Sequence, residues 1–289
     1  MTEPSDRSGD PLFVGIDLGW SSGGTGLAAV DDTGRLTASA RVRTDDEIDD
    51  WLTAQHGHVA VAAVDAPLVV PNETGQRVAE RLIGRTFGAF GASAHTSNRA
   101  RFGGADARAM RLARRFGWDV DPSTSPADAT GGVCIEVYPH PAMVGLFGLD
   151  YRLDYKKGNA ARRSPGFAQL VGHLESVPEL GLPGQPRWEE LRRTVAAPRP
   201  GDLNRAEDEL DAILCAHLAW LWAHRPGDLH VYGDVHEGYI VAPPPPTHRP
   251  RRPATARRTG TTDGATDGTA DGAVIGTAVG VGGRISPGR

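Results

Sequence analysis

The sequence is poor in cysteine and lysine. Its two cysteines, Cys134 and Cys215, lie far apart and have no second pair beside them. Neither a disulfide framework nor a cysteine zinc site is therefore indicated, and redox chemistry is not expected. The only two lysines are adjacent, Lys156 and Lys157 in "DYKKGN", so nearly all of the positive charge is carried by arginine.

Long apolar runs are also missing. No stretch approaches the roughly 20 uninterrupted apolar residues that a transmembrane helix needs. The segment "MTEPSDRSGDP" is polar and acidic and lacks the pattern of a signal peptide. We therefore expect a cytoplasmic protein without a membrane partner. Its 289 residues, with 39% hydrophobic content, suit one large domain or two small ones.

The formal net charge of −5 is distributed unevenly. From Pro243 onward there are seven arginines and three aspartates, which leaves −9 for residues 1–242. An acidic body is not the footprint of a protein that grips duplex DNA through its phosphates. A nucleic-acid partner, DNA or RNA, would therefore depend on a local site, with the basic tail as a weak tether.

The C-terminal segment has almost no large apolar residues. It is rich in Pro, Arg, Gly, Thr and Ala, and "TTDGATDGTADGA" repeats Asp-Gly every four residues. Such a segment cannot bury enough apolar surface to offset the entropy of ordering it. Calcium-binding β-rolls need longer repeats with a regular apolar position. The sequence predicts a flexible N-terminus at residues 1–11, one domain at 12–242 and a disordered tail at 243–289.

Strand and helix patterns alternate between these termini. The strands "LFVGIDL", "TGLAAVD" and "RLTASARVR", joined by turn-rich segments, predict a meander. The helix "DDEIDDWLTAQHG" then makes a crossover, so the fourth strand, "HVAVAAVD", should lie parallel to the first. Two amphipathic helices, the strand "GVCIEVY", a long helix at "GDLNRAEDELDAILCAHLAWLWAHR" and a closing strand or hairpin follow. We expect an α/β fold with a mixed five-stranded sheet flanked by helices.

Three of the predicted strands carry an acid at or near their end. Asp17 closes the first strand, Asp65 closes the fourth in "VDAPL", and Glu136 lies inside the fifth. A buried, unpaired carboxylate costs free energy, and a metal ion is one way to compensate its charge. Because parallel neighbours leave a sheet at the same edge, Asp17 and Asp65 should lie together, where open α/β sheets bind ligands. Carboxylate oxygens are the ligands that Mg²⁺ or Mn²⁺ prefers.

The long helix offers a fourth acid. Asp211 precedes Cys215, Leu218 and Trp222 on one stripe, so it should point toward the core, and Asp208 lies one turn earlier. Each acid also has a structural alternative. Asp17 and Asp65 could form turns, Glu136 could form an inter-strand ion pair with an arginine, and Asp208 and Asp211 could lie on a solvated helix face.

The ordered set "GIDLGW", "VDAPLVVPNETGQRVAER", "SNRARF", "EVYPHPA", "LDYKKG", "EDELDAILCA" and "GYIVAP" resembles a bacterial family of uncharacterised proteins described as predicted RNase H-like nucleases. The resemblance runs from about Phe13 to Pro243. It implies the RNase H-like fold and a site for two divalent metal ions at Asp17, Asp65, Glu136 and Asp211, with Asp208 as an alternative helix ligand.

The same resemblance implies a nuclease in which metal ions activate a water for in-line attack on phosphorus. Candidates for contacting phosphate or moving a proton are Lys156, Lys157, Arg99, Asn98 and His140. A solvated "YKKG" turn and a bend at His140 between two prolines are the structural alternatives.

Two other functions compete with a nuclease. "DLGWSSGGTG" also resembles the phosphate-binding hairpin of actin-like ATPases and sugar kinases, but no second such element follows later in the chain. A non-catalytic scaffold would instead neutralise its acids with arginines such as Arg77, Arg81 or Arg99, and the acidic body favours that alternative modestly.

Overall fold

A computed structural model of the protein describes residues 9–19 and 23–253. The meander consists of β1 (Asp10–Asp17), β2 (Thr25–Val30) and β3 (Leu36–Val42), and its strands pair antiparallel. β4 (Gly57–Val64) pairs parallel with β1, and β5 (Val133–Glu136) pairs parallel with β4. The sheet order β3-β2-β1-β4-β5 confirms the predicted mixed five-stranded sheet.

Helices connect and flank the strands. Their bounds are α1 (Asp45–Thr53), α2 (Val78–Phe87), α3 (Arg108–Phe116), α4 (Pro139–Phe147), α5 (Ala160–Glu175), α6 (Pro186–Ala196) and α7 (Asp202–His224). The crossover helix α1 begins with a capping box, in which Thr44 accepts from the Glu47 amide and Glu47 reaches back to the Thr44 amide. No helix within the described ranges is both long and apolar enough to cross a lipid bilayer.

The predicted closing hairpin is present as a separate two-stranded sheet, β6 (His230–Asp234) and β7 (Gly238–Ala242). It packs on α2, where Ile83 and Phe87 meet Tyr232 and Ile240 in a second apolar cluster. Residue Val137, just after β5, forms a parallel bridge to β7. The hairpin thereby lies beside β5, the edge strand of the five-stranded sheet.

The long helix α7 lies directly on the sheet because two strand residues have no side chain. A Cβ at Gly15 would lie 2.0 Å from the Ala212 carbonyl oxygen, and one at Gly26 would lie 1.8 Å from the Asp208 carbonyl oxygen. Gly26 on β2 lies opposite Asp17 on β1, so a side chain at position 26 would point to the same face of the sheet as Asp17. The first turns of α7 are therefore held over the strand end that carries Asp17.

The described residues up to Arg252 form one compact unit. The tail predicted at 243–289 thus begins too early. Pro243 accepts a hydrogen bond from the Tyr232 hydroxyl, His248 contacts the Leu149 carbonyl oxygen, and the Arg251 amide donates to Asp150. Residues 254–289 lie outside the described part. Of the predicted flexible N-terminus, residues 10 and 11 belong to β1, and residues 1–8 are not described.

Candidate functional site

Asp17 and Asp65 lie side by side at the carboxyl edge of the sheet. β1 and β4 are parallel with Ile16 opposite Val64, and the Asp65 amide donates to the Ile16 carbonyl oxygen at 2.8 Å. Both carboxylates are half-buried and line a pocket of about 580 Å³. Neither forms an ion pair with an arginine of the described residues, so the arginine alternative does not account for these two acids.

Together with Asp17 and Asp65, which line the pocket, Asp211 on α7 forms a group that we call the acidic floor, although Asp211 does not itself line the pocket. Its side chain is fully buried, and its Oδ1 accepts a hydrogen bond from the Tyr155 hydroxyl at 2.8 Å. Burial raises the pKa of both strand acids, and charge repulsion from Asp211 raises it further. Lys156 connects Asp211 to the pocket, because it lies 2.7 Å from Asp211 and lines the pocket with Asp17 and Asp65.

A lysine occupies the space among these acids. Lys156 is on the loop between α4 and α5. Its Nζ lies 2.7 Å from Asp211 Oδ2 and 3.7 Å from Glu207 Oε1. Burial opposes its charge, but Asp211, Asp17 and Asp65 hold the pKa of Lys156 well above its usual range. The ammonium thus supplies the positive charge that the carboxylates require.

Burial dominates the electrostatics of the acids. It raises the pKa of Asp65 to about 7, with repulsion from Asp211 added and attraction to Lys156 opposing. It also raises the pKa of Asp17 well above the ordinary value, and the pKa of Glu207 to about 7. A second positive charge brought into the pocket would favour the charged form of all three groups.

Glu136 differs from the prediction. It pairs with Val64 in register and so shares the face of Ile16, opposite the face of Gly15 on which α7 lies. Its carboxylate accepts two hydrogen bonds from Arg77, at 2.8 and 2.6 Å, and one from the Leu68 amide at 2.7 Å. Glu136 lines the pocket, but Arg77 already neutralises it, as the arginine alternative anticipates.

We expect Glu136→Gln to lower the free energy of unfolding by about 3 kcal/mol, because it leaves the Arg77 guanidinium buried with half of its charge pairing lost. Chemical denaturation at neutral pH measures this loss. Glu73→Gln is the control, since Glu73 is 75% exposed in its pair with Arg99 and should cost less than about 1 kcal/mol. Equal, small losses for the two variants would contradict a structural role for Glu136.

The two helix acids have different roles. Asp208 bonds to Arg41 on β3 and lines the pocket, whereas Asp211 is fully buried and pairs with Lys156. Glu207, which sequence reasoning did not select, lines the pocket and pairs with Arg163 at 2.6 Å. Its position four residues before Asp211 placed it on the same helix face and was the signal available.

The predicted substrate contacts divide into two groups. Lys156, Lys157 and His140 line the pocket, with His140 in the first turn of α4 rather than in a bend. Asn98 and Arg99 do not line it. Asn98 caps the short helix at residues 99–102 by accepting from the Arg101 amide, and Arg99 lies 3.0 Å from Glu73.

The pocket offers donors that suit a divalent ion, but they are not already arranged as a metal site. Within residues 9–19 and 23–253, no group of three or more His, Cys, Asp or Glu side chains is already placed to hold a metal ion. Carboxylates are the donors that Mg²⁺ or Mn²⁺ takes, and a cation, the Lys156 ammonium, already lies among them. The donor set therefore fits such an ion once Lys156 leaves Asp211.

Comparison with known proteins gives one match. A family model described as "Protein of unknown function (DUF429)" matches residues 15–237, which contain every acid of the pocket floor. No curated protein and no solved structure matches the chain.

Proposed function

The chain belongs to this DUF429 family of proteins of unknown function, and from its carboxylate pocket we propose that it is a divalent-metal-dependent nuclease that hydrolyses phosphodiester bonds. One observation carries the proposal: Asp17 and Asp65 lie together at the edge where parallel strands end, and Lys156, which lines the same pocket, pairs with the buried Asp211. The strand order agrees with the RNase H-like arrangement that the sequence resembles.

In this proposal Asp17, Asp65 and Asp211 hold Mg²⁺ or Mn²⁺. The bound ion would polarise a phosphoryl oxygen and lower the pKa of a water. Lys156, released from Asp211, is long enough to stay in the pocket and donate to a phosphate oxygen. Asp208 and Glu207 remain at the wall, where Arg41 and Arg163 hold them.

The non-catalytic scaffold accounts for only part of the pocket. It explains Glu136, which Arg77 neutralises, but Arg81 donates to the Gln76 carbonyl oxygen and Arg99 pairs with Glu73. The acids of the floor share one lysine instead. A chain kept only for its fold gains nothing from placing the half-buried Asp17 and Asp65 and the buried Asp211 near a single ammonium, because desolvating each carboxylate costs free energy.

The nucleotide-binding phosphotransferase requires two lobes. The described residues contain one five-stranded sheet and one hairpin, and the residues Trp20–Ser22 of the supposed phosphate hairpin lie outside them. Stabilisation by ATP, in a protein that cleaves no nucleic acid, would favour this function over the nuclease.

Metal binding is expected to raise the melting temperature. With Mn²⁺ at 100 times its dissociation constant the gain is about 2.7 kcal/mol, which for a domain of this size is a shift of several degrees. Asp17→Asn should abolish the shift. Because burial raises the pKa of Asp17, the neutral side chain should not itself destabilise the metal-free protein.

Glu136→Gln is the matched control in the same thermal-shift experiment. It should melt at a lower temperature than the wild type and retain the Mn²⁺-dependent shift, because Glu136 is bound to Arg77. Absence of a shift in the wild type at millimolar Mn²⁺ and Mg²⁺ would count against the metal site.

A further inference from the structure

Four cations that line the pocket, Arg101, Arg111, Arg152 and Lys157, pair with no carboxylate among the residues described here. Arg111 donates to the backbone oxygen of Asp106 and is set apart from the other three. Other basic residues at the pocket do have such partners, for example Arg77 with Glu136 and Arg108 with Asp45. We call Arg101, Arg152 and Lys157 the cation cluster.

The members of the cation cluster line the same pocket although they come from two separate parts of the chain. Arg101 lies in the short helix at residues 99–102, and Arg152 and Lys157 lie between α4 and α5. His95 lines the pocket with them: burial lowers its pKa, and the charges of Lys157, Arg101 and Arg152 lower it further. Like charges gathered in this way repel one another, and an anion bound among them would relieve the repulsion.

A second, independent observation points to a ligand in the same pocket. His140 is 5% exposed, and its Nδ1 has no hydrogen-bond partner among the described residues. A buried polar atom without a partner costs about 1–3 kcal/mol, which a ligand that bonds to it would recover. His140 lines the pocket, so a ligand there would lie beside a ring whose Nδ1 is unpaired among the described residues.

The charge of the cation cluster indicates which anion fits. A terminal phosphate monoester carries roughly −1.5 to −2 at neutral pH, more than the single charge of a phosphodiester. Arginine adds a planar fork that matches phosphate oxygens. A pocket of about 580 Å³ is the size of a small-molecule site, so it suits one or two nucleotides and not a duplex.

We propose that the cation cluster binds a terminal phosphate of the substrate, distinct from the phosphodiester that is hydrolysed over the acidic floor. The substrate class is then a phosphorylated strand end or a short phosphorylated oligonucleotide. This inference rests on the proposed nuclease function, and it explains how an acidic protein recognises nucleic acid without a basic track. Adjacent lysines link the two parts, since Lys156 reaches the acids and Lys157 belongs to the cation cluster.

The test compares three thymidine dinucleotides, pTpT, TpTp and TpT, by isothermal titration calorimetry in buffer with chelator, so that no cleavage occurs. The wild type should bind pTpT or TpTp at least tenfold more tightly than TpT, and the better of the two identifies the 5′ or 3′ end. Arg152→Gln and Lys157→Gln should each reduce this preference at least threefold, and Lys157→Arg should retain it.

Arg85→Gln is the control, because Arg85 is exposed on α2 and does not line the pocket, while its loss changes the net charge equally. Equal affinity for the three dinucleotides, or an equal loss of preference in Arg85→Gln, would overturn the inference. Mn²⁺-dependent cleavage together with equal affinities would overturn this inference alone. A clear preference in a protein that cleaves nothing would support the phosphate site and contradict the nuclease.

Discussion

Asp65→Asn is expected to lower Mn²⁺-dependent phosphodiester cleavage by about 10³-fold or more. A bound metal ion contributes several kcal/mol of transition-state stabilisation, and each 1.36 kcal/mol lost is a tenfold loss of rate. Asp65 lies at the end of β4, beside Asp17, and no arginine of the described residues neutralises it. Its removal should therefore weaken the metal site more directly than removal of any acid at the pocket wall.

The fold should survive this substitution. Burial raises the pKa of Asp65 to about 7, so the charged carboxylate is not what stabilises the metal-free protein at neutral pH. Asparagine has the same shape and keeps the backbone bond from residue 65 to the Ile16 carbonyl oxygen. An unchanged melting temperature in chelator, with cleavage rates measured beside it, separates lost chemistry from lost folding.

Asp154→Asn provides the matched comparison for Asp65→Asn. Asp154 lines the same pocket but is exposed and pairs with Arg162. Its substitution should change the cleavage rate less than about twofold. Losses of similar size in the two variants would mean that the pocket responds to net charge and not to metal ligation at Asp65.

Lys156→Met should destabilise the metal-free protein by about 3 kcal/mol at pH 8 and enlarge its stabilisation by Mn²⁺. The substitution leaves the fully buried Asp211 without the ammonium 2.7 Å away, and a broken buried pair costs about 3–5 kcal/mol. The lower end applies because the Lys156 side chain is 28% exposed. A divalent ion then enters without displacing a lysine, so its apparent affinity rises.

Chemical denaturation with and without Mn²⁺ measures both effects. Lys157→Met is the control for stability, since Lys157 is exposed and should change the free energy of unfolding by less than about 0.5 kcal/mol. If Lys156→Met is as stable as the wild type in chelator, or gains no more from Mn²⁺, then Lys156 does not hold the place of a cation.

The strand acids were predictable because topology fixes them. The crossover helix α1, between β3 and β4, lets β4 pair parallel with β1, which brings Asp17 and Asp65 to one edge whatever the exact register. Glu136 was not predictable in the same way. Which face it occupies depends on the register of β5 against β4, and a shift of one residue reverses the face. Its pairing with Arg77 joins residues 59 positions apart.

The helix face that carries Asp211 was also predictable, although how deeply each acid of α7 is buried was not. Helical periodicity turned Asp211 toward the core, but Gly15 and Gly26 decide how closely α7 approaches the strands. Lys156 lies on an irregular loop, and its contact with Asp211 follows from the packing of that loop, which periodicity does not describe. The counter-charge of the site therefore became visible only in the structure.

The most direct test of the nuclease is a cleavage assay with wild-type protein, Mn²⁺ and a panel of single-stranded, duplex, branched and hybrid nucleic acids, each with a chelator control. We predict Mn²⁺-dependent products from at least one of them, greatest for single strands with phosphorylated ends and absent with Asp65→Asn. Intact substrates throughout the panel, at millimolar Mn²⁺ and with folded protein, would contradict it.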